Sequence, residues 1–197
     1  IVFSSVRIES RNIWRMDPDG SNQKQLTRGA RQDDGPRFTP DGKSVLFFSL
    51  TESGSGRIQK VSIEGGEPVQ LTDYWTLWPT ISPDGKLIAA GYLDEQQIAH
   101  LAIIPSLGGQ PIKILPLPSS VFPSVGLGWT PDSSTLIYVQ KRNGISNIWG
   151  QPIDGGPPKQ LTNFKSDLIF KFALSSDGRQ LVLARGTETR DVVLIKD

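Results

Sequence analysis

A tight turn between two short apolar segments recurs four times along this chain. The interval between copies constrains the fold more than any other feature. The clearest copy is Thr80-Ile81-Ser82-Pro83-Asp84-Gly85-Lys86, leading into Leu87-Ile88-Ala89-Ala90. The others are Phe38-Thr39-Pro40-Asp41-Gly42-Lys43 before Ser44-Val45-Leu46-Phe47-Phe48, Trp129-Thr130-Pro131-Asp132-Ser133-Ser134 before Thr135-Leu136-Ile137-Tyr138-Val139, and Leu174-Ser175-Ser176-Asp177-Gly178-Arg179 before Gln180-Leu181-Val182-Leu183-Ala184. The turn aspartates follow one another at steps of 43, 48 and 45 residues. Proline presets φ at such a turn, glycine accepts positive φ, and aspartate accepts backbone N–H bonds.

A second motif keeps the same interval. Gln25-Leu26-Thr27, Gln70-Leu71-Thr72 and Gln160-Leu161-Thr162 stand 45 and then 90 residues apart. The missing copy falls in the third repeat, where Lys113-Ile114-Leu115 occupies the slot. Two motifs on one period of this length imply four-stranded propeller blades. No segment sustains an apolar period of 3.6, so almost no helix is expected.

The second repeat sets the template. Strand A is expected at 35–39, B at 44–50, C at 57–63 and D at 68–72, with hairpin turns such as Glu64-Gly65-Gly66-Glu67 between C and D. The B strands are continuously apolar, so both faces should be covered, as when a blade lies between two neighbours. Residues 1–28 supply B, C and D only, and residues 164–197 supply A, B and C only, the last at 191–196. The expected domain is one all-β propeller unit over 1–197, with blades at 1–28 (partial), 29–73, 74–117, 118–163 and 164–197 (partial). Three complete and two partial blades read as an arc of a larger ring of six to eight blades. A self-closed five-bladed ring would lack one inner strand.

Composition narrows the function classes. Twenty-one Lys and Arg balance 20 Asp and Glu, so no basic excess points to nucleic acid or a membrane surface. No apolar run approaches the roughly 20 residues that cross a bilayer. With no cysteine, disulfides and thiolate zinc sites are excluded. No metal or cofactor is expected, since no ligand cluster and no nucleotide loop occurs. No Gly-x-Ser-x-Gly elbow marks a nucleophile, and His100 is the sole histidine, set in strand C of the third repeat without an evident partner. Asp17-Pro18-Asp19-Gly20 matches only the start of a calcium loop and reads as a turn.

The pattern Asn-Ile-Trp-x-x-Asp-x-Asp-Gly at 12–20, then Gln-Leu-Thr, then Ser-Pro-Asp-Gly-Lys, resembles the TolB-type, WD40-like bacterial propeller repeat over essentially the whole chain. The tail, with Asn147-Ile148-Trp149, Asp154-Gly155-Gly156-Pro157 and Asp191-Val192-Val193-Leu194-Ile195, looks like the C-terminal end of large bacterial proteins. In those, a propeller follows a serine/threonine kinase domain or a winged-helix DNA-binding domain. The resemblance implies a sensor or interaction module and a periplasmic or extracytoplasmic setting. The kinase and DNA-binding motifs themselves are absent from this chain.

Recognition in such a fold belongs to loops on rigid blades. The D–A and B–C connections share one face. That face carries Arg31, Asp33 and Asp34 in one loop, then Tyr74, Trp75 and Trp78 in the next. Phe122 lies in the third long connection, Arg142 in a B–C loop, and Phe164, Lys165 and Asp167 in the last. Aromatics mixed with charge suit a protein or peptide partner, or a small ligand. Trp129 reads as an inner-strand core residue, and Trp14 and Trp149 as fillers between blades. The first expectation is a non-catalytic binding module. The alternatives are the propeller of a prolyl-oligopeptidase-like peptidase, or a propeller glycosidase using Asp33 or Asp34 with Asp167, which would need two carboxyls roughly 5–10 Å apart.

Overall fold

The computed structural model describes residues 1–7, 10–29, 32–121, 124, 126–175 and 177–189, and their regular structure is entirely β. The first repeat forms β1 (Val2–Arg7), β2 (Ser10–Arg15) and β3 (Lys24–Gln25). The second forms β4 (Gln32–Phe38), β5 (Ser44–Leu50), β6 (Gly56–Ser62) and β7 (Val69–Gln70). The third forms β8 (Thr76–Ile81), β9 (Leu87–Leu93), β10 (Ala99–Pro105) and β11 (Lys113–Pro116). The fourth forms β12 (Leu127–Trp129), β13 (Thr135–Arg142), β14 (Ile145–Pro152) and β15 (Lys159–Gln160), and the fifth β16 (Leu168–Leu174) and β17 (Leu181–Gly186). Each repeat is an antiparallel meander, and the third and fourth are separate four-stranded sheets. A single parallel bridge, Arg11 to Gln32, joins the first two sheets. The third strand expected in the last repeat, at 191–196, lies outside the described residues.

The recurring turn explains itself chemically. Asp41 Oδ1 accepts the Thr39 hydroxyl at 2.6 Å and the Lys43 N–H at 3.0 Å. Asp84, Asp132 and Asp177 do the same with Ser82 and Lys86, Thr130 and Ser134, and Ser175 and Arg179. The Ser or Thr hydroxyl oxygen in turn accepts the N–H that opens the B strand, as Ser82 Oγ does from Leu87 at 3.0 Å. The four turn aspartates are therefore structural, and these bonds hold all four carboxyls below the usual range.

Continuous apolar B strands divide their side chains between two cores. Val45 and Phe47 pack with Ile13 and Leu26 of the first sheet, while Leu46 packs with Ile88 and Ile104 of the third. Ala89 of β9 turns the other way and joins Leu136 and Tyr138 of the fourth sheet, and Ile137 and Val139 continue to Ile169 of the fifth. Strand alternation thus stacks sheet on sheet, the arrangement of adjacent propeller blades. Each fully buried Leu, Ile or Phe contributes roughly 1.5–3 kcal/mol. The expectation of two covered faces fails for β17. Leu181 and Val182 are 38% and 68% exposed and join none of the buried clusters, whereas Leu183 packs against the Ile137 and Ile169 cluster.

Each Gln-Leu-Thr copy is a latch. The hydroxyl oxygens of Thr27, Thr72 and Thr162 accept the strand-C N–H groups of Ile13, Ile58 and Ile148 at 3.0, 2.9 and 2.9 Å. Strand D stops there after two residues. Thr72 also shares a 2.7 Å hydrogen bond with Thr76 at the start of the next sheet.

Candidate functional site

The third repeat has no latch. Its β10–β11 register pairs Ala102 with Ile114, Leu101 with Leu115 and His100 with Pro116. This sets Leu115 where Leu71 stands, and Pro116, which has no hydroxyl, where Thr72 stands. Strand D continues for four residues instead of two. Among the described residues the chain then rejoins the fourth sheet through a bridge from Val121 to Gln140, a 3.1 Å hydrogen bond from the Lys141 N–H to the Ser120 carbonyl and a 2.9 Å hydrogen bond from Gln140 Nε2 to Ser120 Oγ.

The space left open is a cleft of about 390 Å³ between the third sheet and this linker. Trp75, Trp78, Tyr92, Leu117 and Val121 wall it, and His100 stands at its rim. Tyr92 is held from behind by the Tyr74 ring, edge-on at 5.5 Å. The Tyr74 hydroxyl donates to Gly109 O at 2.9 Å, so Tyr74 supports the wall without forming it. Burial pushes the Tyr74 phenol well above its ordinary value. His100 has a partner that the sequence did not reveal: its Nε2 lies 2.8 Å from Asp94 Oδ2. Asp94 also accepts the Ile98 N–H, and the two bonds keep its carboxyl below the usual range.

Trp78 has φ +57°, in the left-handed region that costs a bulky residue about 1–3 kcal/mol. It stands six residues before its turn aspartate. The same position holds Gly35 (φ +65°) in the second repeat and Gly126 in the fourth. A bulge between Leu77 and Thr80 accommodates it, matching the bulge between Asp34 and Arg37. The absent side chain at Gly35 makes room, since a Cβ there would lie 3.1 Å from the Phe48 ring and 3.5 Å from Trp78. The indole sits edge-on to Phe48 at 4.6 Å. A glycine position has been given an aromatic, and its indole is the wall shared by two cavities.

The second cavity, about 310 Å³, lies where the first strands of successive sheets converge. Asp34, Arg37, Trp78 and Lys171 line it together with Ser4 of β1. Asp34 is already paired, accepting Ser4 Oγ at 2.7 Å and Arg11 at 2.6 Å. Burial opposes its charge, but these bonds outweigh burial and hold the carboxyl below its usual range.

The other expected residues are dispersed. Asp33 is 2% exposed and points away from Asp34, toward Thr27 and Ser49. Burial raises its carboxyl, and Oδ1 has no hydrogen-bond partner. Arg142 stacks on Trp149 at 4.1 Å, as Arg7 does on Trp14. The two tryptophans thus carry cation–π lids as well as filling space. Phe164 is covered by Arg185 at 3.7 Å, and Asp167 pairs with the same arginine at 3.5 Å. Lys165 reaches only Asn163. Arg31 and Phe122 lie outside the described residues. Of the residues expected on the loop face, Trp75 and Trp78 line this cleft, and beside them stand Tyr92, His100 and Leu117, which the sequence did not single out for binding. The signal that could have found them was the missing Thr of the third repeat.

Comparison with known proteins supports the fold. The chain is 28% identical over 185 residues to the uncharacterized peptidase YuxL of Bacillus subtilis, covering 91% of this chain and 26% of that protein. It superposes with TM-score 0.75 on a putative TolB from Agrobacterium tumefaciens, at 20% identity, over 91% of this chain and 64% of that one. A chain of a nidogen/laminin complex aligns with TM-score 0.66 at 16% identity, over 93% of this chain and 69% of that one. No family model matches. The chain spans a quarter to a half of the length of the curated relatives YuxL and Atu1656 of Agrobacterium fabrum. The fold is an all-β propeller of four-stranded antiparallel blades, and its structural neighbours are TolB-type propellers.

Proposed function

We propose that this chain is a non-catalytic propeller module that binds a peptide segment of a protein partner in the cleft of the third repeat. One observation carries the reading. The repeat that forgoes its latch is the repeat whose opening is walled by two tryptophans and a tyrosine, one held in a strained backbone. Aromatic anchors in concave, apolar sites dominate protein recognition. The module acts as one domain over residues 1–197, within a larger bacterial signalling protein such as a kinase or transcriptional regulator. A periplasmic or extracytoplasmic setting accords with the TolB-like repeats.

The test is selection from a random peptide library on immobilised protein, followed by binding to a Trp75→Ala variant with an unchanged circular dichroism spectrum. Selected peptides should bind the variant at least tenfold more weakly. Equal binding to both proteins would remove the cleft from consideration.

A second reading has its own support. YuxL is named a peptidase and aligns with nearly all of this chain, and an acylaminoacyl peptidase shares the fold at TM-score 0.60. The chain would then be the propeller part of such an enzyme. Among the described residues the His100 ring hydrogen-bonds Asp94 and no hydroxyl. Labelling of the natural full-length protein by a fluorophosphonate would favour this reading over the first.

A further inference from the structure

We infer that the peptide recognised here is acidic as well as apolar, with a carboxylate side chain entering the second cavity while a neighbouring apolar side chain fills the first. This rests on the cleft reading above and specifies its ligand. Three observations lead to it.

The two cavities share Trp78. Trp78 thus lines both, and side chains two residues apart, which lie on one face of an extended peptide, are placed to enter one cavity each. The second observation is charge. The cavity beyond Trp78 carries Arg37 and Lys171, and neither forms an ion pair with a described residue. Arg37 reaches only the carbonyl of Pro36 at 3.2 Å, and Lys171 Nζ only the carbonyl of Ser124 at 2.6 Å. The one carboxylate lining the cavity, Asp34, is neutralised by Arg11. The lining therefore keeps two uncompensated positive charges in a chain whose net charge is +1.

The third observation is the placement of Lys171. It stands six residues before Asp177, the same repeat position as Trp78 and the two glycines. The repeat thus delivers a glycine, an aromatic, a glycine and a cation to one inner rim. A carboxylate suits this rim because an arginine and a lysine can each donate a charge-assisted hydrogen bond to it. The apolar cleft would accept a neutral ligand, so the acidic requirement is separable from apolar binding.

The test uses two synthetic peptides, acetyl-Phe-Gly-Glu-amide and acetyl-Phe-Gly-Gln-amide, which differ only in charge. Indole N–H resonances of Trp75 and Trp78 are followed by NMR at low ionic strength. The glutamate peptide is expected to bind at least tenfold more tightly, an advantage that salt erodes. Replacing both Arg37→Gln and Lys171→Gln should abolish the difference between the two peptides, chiefly by weakening the glutamate peptide. Both side chains are exposed, so neither change threatens the fold. Lys171→Glu alone should turn the preference toward the glutamine peptide. If both peptides shift the Trp75 resonance equally in the native protein, the acidic requirement is wrong and the cleft stands. A glutamate preference that survives the double substitution also overturns it. If neither peptide shifts Trp75, the cleft reading falls as well.

Discussion

A single hydroxyl does much of the work of ending each blade. Thr72 Oγ1 accepts the Ile58 N–H and is bonded to Thr76, and both threonines are buried. Thr72→Val keeps the volume and leaves a buried N–H without an acceptor. It should lower the unfolding free energy by about 1–3 kcal/mol. Urea unfolding that shows a change below about 0.5 kcal/mol would contradict the latch. Asp33 offers a test of the opposite sign. Burial raises its carboxyl, so the folded chain prefers the protonated form. Its contribution is complete below the ordinary carboxylate range and is lost as pH rises through the raised value. Asp33→Asn should therefore melt higher than the native protein at pH 7, with the gap closing as pH falls toward about 3.8. The turn aspartates, held below the usual range, lose their bonds only at still lower pH and equally in both proteins, so they cancel from the comparison. The turn residues were legible in the sequence because their chemistry is local, within five positions. The roles of Asp33 and His100 were not, because Thr27, Ser49 and Asp94 reach them only through the fold.

Between elements, the close approaches are what the sequence hides. Gly56, buried in β6, faces β8 so closely that a Cβ would lie 2.7 Å from Leu77 Cδ2 and 3.0 Å from the Thr76 carbonyl. Gly56→Ala should cost roughly 1–3 kcal/mol by overpacking. Because Leu77 and Thr76 adjoin Trp78, it should also shift the Trp78 indole resonance. A substitution that leaves both stability and that resonance unchanged would mean β6 and β8 are not packed this tightly. Strand positions were read within a few residues from the period alone, with β5 at its expected bounds. The inner strand β4 begins three residues earlier than expected, at Gln32. The bulge after Asp34 lets pairing resume beyond Gly35 and Pro36, and bulges leave only a lone glycine or tryptophan as their trace. The longer β11 was visible as a missing motif, but its meaning required the register.

Across the whole molecule, cover is uneven. Strands β5, β9 and β13 carry buried side chains on both faces, whereas β17 leaves Val182 exposed. Opening free energy follows buried contacts. Amide hydrogen exchange should thus be slowest in β5, β9 and β13 and at least tenfold faster in β17. Uniform protection across all four strands would mean that the fifth sheet is covered in solution. The stacking order was legible because a propeller blade writes the same sentence each time. The location of the opening was legible only as an omission from it.

The latch has a bearing on how such a chain could be re-spliced. Thr72 ties the outermost strand of one sheet to the innermost strand of its successor. The natural seam for shuffling units therefore runs through the aspartate turns, where the bonds are local and surface-exposed. Grafts or permuted termini placed at Pro40–Gly42 or Pro83–Gly85 would leave each tie whole. Those placed between Thr72 and Thr76 would sever a tie and dismantle the aromatic recess in the same stroke.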